Sequence, residues 1–213
     1  MANSSTLANR QLLTLDRLTR LLSLNGFYLA GDTAVAYYLN HRVSRDLDIF
    51  SSPKCADLEQ VHREIVSKLD DVEIISITDV SIHLKTEQSP VDIVRYPYPL
   101  LEQPTVGPHG FSVASLVDLA AMKLAAIAKR GIKRDFWDLY EILSRTEMSL
   151  DQCFKSYKKK FGKHESNFYS VLRSLTYFED TEAETVFPVG MSPKLFDMVK
   201  DYFKDHAPKM EDE

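Results

Sequence analysis

A chain of 213 residues, 44% hydrophobic and 27% charged, has the make-up of an ordinary globular protein, with length for one large domain or two small ones. A formal charge of −5 and a pI near 5.7 exclude binding to nucleic acid by overall attraction, so any RNA partner would have to meet a local basic patch. Cys55 and Cys153 lack a pairing pattern or metal-ligand spacing, no apolar run has the length of a membrane span, and the first five residues do not resemble a signal peptide; a cytoplasmic protein with free thiols is expected.

Leucines at 7, 12, 13, 15, 18, 21, 22 and 24 mark a helical stripe over residues 5 to 24, and Asn25-Gly26 supplies its stop. Phe27 to Ala30 reads as a buried strand, Gly31-Asp32 as a tight turn and Thr33 to Leu39 as a short helix. Asp46 to Phe50 reads as a second strand, ended by Ser51-Ser52-Pro53. Side chains two apart on a strand share a face, about 6.6 Å apart along the chain, so Asp46 and Asp48 point one way while Leu47 and Ile49 point to the core. Ala56 to Leu69 forms an amphipathic helix with Leu58, Val61, Ile65, Val66 and Leu69 inward. Val72 to Ile77 and Val80 to Lys85 flank Thr78-Asp79 as a hairpin, and Val91 to Val94 is a further apolar run broken by Asp92. A charge inside a buried strand is costly unless compensated, and a bound metal would compensate it.

Residues 97 to 110 hold four prolines and two glycines and read as an ordered crossing loop between a mixed α/β half, 1–110, and a helical half, 111–213. Ser115 to Asp118 has the form of a capping box with Asp in place of Glu, opening a helix that runs to Arg130 and stops at Gly131. The interior of that helix is apolar nearly all round except for Lys123, whose ammonium needs a carboxylate or a substrate phosphate; Arg130 extends the basic line two turns on. Replacing Lys123 by methionine is expected to spare the fold. Asp135 and Asp138 share a face one turn apart. Ser149 to Phe161 reads as a helix carrying Lys155, Lys158, Lys159 and Lys160, followed by Lys163, with Phe154, Tyr157 and Phe161 interleaved; it is the concentrated basic segment where RNA phosphates would be met. Ser192-Pro193 starts a last helix that ends near His206, and the tail Met210-Glu-Asp-Glu213 is acidic. The six histidines share no ligand spacing.

In order along the chain stand Gly31-Asp32-Thr33, Arg45-Asp46-Leu47-Asp48, Val91-Asp92-Ile93-Val94, and the run from Asp118 to Tyr140 that holds Lys123, Arg130, Asp135 and Asp138. Over residues 26 to 143 this resembles the polymerase-beta-type nucleotidyltransferase core, with a small-residue turn, a paired-carboxylate strand and a third carboxylate on a later strand. Within that superfamily it is similar to the AbiEii/AbiGii toxins of type IV toxin–antitoxin systems. The resemblance implies an α+β fold, a nucleotidyltransferase-type mixed sheet flanked by helices and followed by a C-terminal helical bundle.

It further implies an enzyme that transfers NMP from an NTP to an acceptor such as a tRNA 3′ end or a protein side chain, with a cognate antitoxin as partner and no membrane. Asp46, Asp48 and Asp92 would converge on Mg²⁺ or Mn²⁺, with Asp92 also taking the proton of the attacking hydroxyl. Gly31, Asp32, Thr33, Arg45 and Arg130 would hold the nucleotide, Lys123 the departing pyrophosphate, and Asp135 would stand beside them as a further catalytic residue. Where the family carries Gly-Gly or Gly-Ser, this chain has Gly31-Asp32, and a carboxylate close to triphosphate repels it by about 1 to 4 kcal/mol. Two other readings follow: a non-catalytic or divergent NTP-binding protein on the same fold, and a phosphotransferase that uses the same metal site.

Overall fold

Strand β2 (Leu47–Ser51) is flanked antiparallel by β1 (Phe27–Leu29) and parallel by β5 (Pro90–Val94), and these three strands form the middle of the sheet. The computed structural model describes residues 7–21, 24–51, 57–87, 89–162, 168–182 and 184–207. The expectations for the first six residues, Ser52-Pro53, Cys55, the start of the helix at Ala56, Lys163, His164 and the acidic tail lie outside these. The chain divides into two compact units, Met1–Ser115 and Leu116–Glu213.

In the first unit, β3 (Val72–Ile77), β4 (Ser81–Thr86), β6 (Thr105–Val106) and β7 (Ser112–Val113) complete a seven-stranded mixed sheet in the order β3-β4-β5-β2-β1-β7-β6. Alternation sets the faces. Leu47, Ile49, Val91 and Ile93 are fully buried, while Asp48, Phe50, Asp92 and Val94 between them are half exposed. All of β1 is buried, as a central strand should be. The parallel β2–β5 pairing needs a crossover, which α3 (Leu58–Lys68) and the β3–β4 hairpin supply. Helix α1 (Asn9–Leu18) is shorter than its leucine pattern, and α2 (Gly31–Leu39) begins two residues before the predicted start, at the turn glycine itself.

The predicted loop over 97–110 needs correcting. Thr105–Val106 pairs antiparallel with Ser112–Val113 through a 3₁₀ turn at Pro108–Gly110, and Val113 pairs parallel with Leu29. His109 and Gly110 turn the chain with φ of 51° and 80°. Two-residue strands carry no periodicity, so nothing in the local pattern announces them.

The second unit is helical: α4 (Leu116–Arg130), α5 (Lys133–Arg145), α6 (Leu150–Phe161), α7 (Phe168–Ser174), α8 (Glu179–Glu182) and α9 (Pro193–His206). Helix α4 packs against α5, α6 and α7, and α5 against α9. An aromatic cluster joins them, with Phe136 5.1 Å from Phe178 and 5.6 Å from Phe203 between ring centres. Ser149 and Gln152 form a reciprocal capping box on α6, and Ser192 caps α9 ahead of Pro193. The fold is the α+β arrangement expected, a mixed sheet with helices followed by a helical unit.

Candidate active site

The first unit gathers its candidate chemistry where β1 turns into α2. Ala30 is extended and donates its N–H to the Asp48 carbonyl at 2.9 Å; Gly31 then opens α2 with φ of +58°, a conformation that favours glycine. Space demands glycine as well. A Cβ at Gly31 would stand 2.2 Å from Asp48 Oδ2 and 2.9 Å from Asp48 Cβ, so the carboxylate of β2 lies directly over the Gly31 backbone at the helix start.

Asp46 is exposed just ahead of β2, and its carbonyl is held from inside: Thr33 Oγ1 hydrogen-bonds it and Gln11 Nε2 lies 3.4 Å away. Thr33 Oγ1 is also 2.7 Å from Ser44 Oγ, and Thr33 is fully buried. The Thr33 hydroxyl is thus engaged with the backbone that presents Asp46. Asp32 is accounted for too. Its carboxylate pairs at 3.1 Å with Arg42, whose side chain is 5% exposed, so the negative charge that departs from the family pattern meets a guanidinium beside it. Arg45 is exposed, and its carbonyl accepts from Ser89 Oγ at 2.9 Å.

Across the β2–β5 pairing Asp48 stands directly opposite Asp92, and across β5–β4 Asp92 stands opposite His83. His83 Nδ1 lies 2.7 Å from Asp92 Oδ1, and its Nε2 lies 3.0 Å from Ser81 Oγ. Among the described residues no group of three or more His, Cys, Asp or Glu side chains is gathered as a ready-made metal site, so the three-carboxylate clamp is not closed. The donor chemistry nevertheless fits a hard cation. Asp46, Asp48 and Asp92 offer only carboxylate oxygen, and Mg²⁺ commonly takes one or two carboxylates and completes its shell with water and substrate phosphates.

In the second unit Lys123 Nζ bonds Asp135 at 3.0 Å and Asp138 at 2.6 Å, with both carboxylates fully buried and the lysine side chain 4% exposed. Arg130, from the end of α4, closes a two-point bond on Asp135 at 2.7 and 2.9 Å. Asp118, in the first turn of α4, also belongs to another buried pair, since its Oδ1 accepts from Lys160 at 2.6 Å. Burial pushes the Lys160 ammonium below the usual lysine range, and the bond to Asp118 opposes that. The expected basic face of α6 is correspondingly reduced. Lys160 points inward, Lys155 pairs with Asp151 at 2.6 Å, Lys158 lies over the Phe168 ring at 4.0 Å, and Phe154, Tyr157 and Phe161 are core side chains.

Sequence reasoning passed over Arg42, Gln11 and His83. Arg42 had a faint signal, an opposite charge just past the helix that Asp32 opens. His83 had a better one, since His83 and Asp92 are equidistant from the centre of the β4–β5 connection and so face each other in an antiparallel register. No helix among the described residues is long and apolar enough to cross a membrane.

Residues 14–209 match the family model described as nucleotidyl transferase AbiEii toxin, type IV TA system. An uncharacterised protein of Aquifex aeolicus (strain VF5) is 35% identical over 172 residues, 80% of this chain and 82% of that protein. Among solved structures, the nucleotidyltransferase toxin MenT4 of Mycobacterium tuberculosis H37Rv is similar with a TM-score of 0.58 at 17% identity, over 90% of this chain and 81% of that one. JHP933 from Helicobacter pylori gives a TM-score of 0.44 at 20% identity, over 93% and 95%.

Proposed function

The chain belongs to the AbiEii family of type IV nucleotidyltransferase toxins, and from that premise we propose that it transfers a nucleoside monophosphate from an NTP to a tRNA or protein acceptor in a reaction that depends on Mg²⁺ or Mn²⁺. The observation supporting this reading is the register of Asp48 against Asp92 on adjacent parallel strands, with Asp48 lying over Gly31 at the start of α2. Asp48 and Asp92 would hold the cation, with Asp46 on the same face of the strand. The bound ion supplies positive charge to the triphosphate oxygens and orients them.

The chain's own residues do the positioning. Backbone at Gly31 has no side chain to keep a phosphate away, and the free N–H groups at a helix start favour anions. Arg42 neutralises Asp32, which removes the repulsion that a bare carboxylate would exert there. The acceptor oxygen forms a bond to the α-phosphorus as the bond from that phosphorus to the bridging oxygen breaks. Pyrophosphate leaves, and Asp92 takes the proton of the acceptor hydroxyl. Lys123, Arg130 and Asp135 are proposed contributors to turnover, and their ion pairs on the fully buried Asp135 make the second unit's own stability the first quantity that their loss affects.

A type IV toxin implies an antitoxin partner as well as an NTP. Expression of the intact chain is expected to slow growth, and expression of Asp48→Ala to leave it unchanged. The biochemical test is incubation with Mg²⁺, each α-labelled NTP, total RNA and cell protein. Label carried into RNA or into protein identifies the acceptor class. Release of inorganic phosphate alone would favour the phosphotransferase reading, and no product that Asp48→Ala abolishes would sink nucleotidyl transfer.

A further inference from the structure

We infer that His83 is a positioning residue for the Asp92 carboxylate, fixed in one tautomer by the β3–β4 hairpin, so that Oδ2 of Asp92 is the oxygen presented for chemistry. The inference rests on the nucleotidyl-transfer reading and extends it to residues that sequence reasoning left aside. Four side chains form a continuous line. Thr78 Oγ1 is 3.0 Å from Ser81 Oγ, Ser81 Oγ is 3.0 Å from His83 Nε2, and His83 Nδ1 is 2.7 Å from Asp92 Oδ1.

The direction of this line follows from its end. A carboxylate offers only acceptors, so His83 Nδ1 carries the hydrogen; in the neutral ring Nε2 is then an acceptor, and Ser81 donates to it. The origin of the line is fixed by backbone. Thr78 N donates to the Ser81 carbonyl at 2.8 Å, and Thr78 Oγ1 accepts from the N–H of Ser81 at 3.0 Å and of Val80 at 3.2 Å. Ser81 is buried at the turn, so its hydroxyl has a defined place from which to orient the ring. Register does the rest, because His83 faces Asp92 across one strand pairing and Asp92 faces Asp48 across the next.

This arrangement positions a carboxylate and does not relay a proton. Nδ1 already bears a hydrogen aimed at Asp92, so the ring has no vacant nitrogen on that side to take up a proton from it. With Oδ1 engaged, Oδ2 is left to meet the cation or the acceptor hydroxyl. The logic is that of outer partners that orient a metal-binding group, whose loss typically costs roughly 10- to 100-fold in metal affinity or activity.

Two amide substitutions separate position from bulk. The side-chain nitrogen of His83→Asn falls near Nδ1, whereas that of His83→Gln falls near Nε2. The measurements are Mn²⁺ affinity by calorimetry with a non-hydrolysable NTP analogue, which needs no turnover, together with kcat, KM for NTP and the melting temperature. His83→Gln is expected to weaken Mn²⁺ binding and lower kcat by roughly 10- to 100-fold with KM for NTP little changed. His83→Asn should stay close to the unsubstituted protein. Nitrogen-15 spectra of the unsubstituted protein should show His83 as the Nδ1–H tautomer. Equal behaviour of the two variants, or losses that only follow a fall in melting temperature, would overturn the inference while leaving nucleotidyl transfer standing. If the unsubstituted protein binds no Mn²⁺ with nucleotide and transfers no label, the functional reading itself fails, and the role of His83 fails with it.

Discussion

Asp48 and Asp92 in the first unit stand on adjacent strands with half-exposed side chains, whereas Asp135 and Asp138 in the second are fully buried under Lys123 and Arg130. Both are carboxylate pairs on regular elements, and sequence spacing alone ranks them alike. Their surroundings separate them. The sheet leaves its pair half exposed, with the Gly31 backbone against Asp48 and the His83 ring against Asp92. The helical pair has been compensated internally, and its charges hold α4 to α5. Exposure and the identity of the partner decide whether a carboxylate is available for chemistry or is committed to the fold.

The sharpest way to break this comparison is to remove one charge from each group. Asp48→Ala should lower turnover by about a thousandfold, roughly 4 kcal/mol of activation free energy, while barely moving the urea midpoint. Lys123→Met should do the reverse in stability, costing about 3 to 5 kcal/mol, because it strands Asp138 and half of the compensation on Asp135 in the interior. The expectation that methionine would spare the fold rested on its keeping most of the stem's volume while removing the charge. Two fully buried carboxylates reverse it. A Lys123→Met protein with an unchanged urea midpoint would erase the distinction drawn between the two groups.

A smaller effect tests the glycine wall of the open site. Gly31→Ala must adopt φ near +58° and bring Cβ to 2.2 Å from Asp48 Oδ2, so Asp48 has to move. Backbone strain of this kind costs about 1 to 3 kcal/mol, and turnover should fall further than stability. Equal losses in the two would mean that Gly31 matters only as a turn.

The smallest effect is expected at Arg17 and Asp71, a partly exposed pair bonded at 2.7 Å. The bond to Arg17 holds the Asp71 carboxyl below the usual aspartate range. A depressed folded-state value means that the unfolded chain binds the proton more readily. Stability from this pair is therefore present above the ordinary aspartate range and is lost as pH falls through the lower, folded value. Arg17→Met should flatten that part of the melting curve between neutral and strongly acidic pH and leave turnover alone. Surface screening keeps the change modest.

How much of this was legible follows the range of each interaction. The two-residue period of Leu47, Asp48, Ile49 and the run around Asp92 gave strands and faces, because alternation is written locally. The hairpin at Thr78-Asp79 and the apolar α4 were readable for the same reason. What escaped was pairing. That Thr33 would bind the Asp46 carbonyl, that Asp118 would choose Lys160, and that the lysines of α6 would be partly consumed depend on partners brought together only by tertiary packing. The two-residue strands β6 and β7 escaped because they carry no periodicity, and β7 is tied to the sheet by β1, far away in the chain.

That last pairing sets an order of events in the cell. Leu29 leaves the ribosome well before its parallel partner Val113, which comes near the end of the first unit. At ordinary elongation rates the interval is on the order of ten seconds, during which β1 has one flank uncovered and the sheet cannot close. Long-range parallel pairing is also slow to form once the residues are available. A chain broken off before Val113 lacks the strand that covers the second flank of β1, so the sheet is finished only when the first unit is nearly complete.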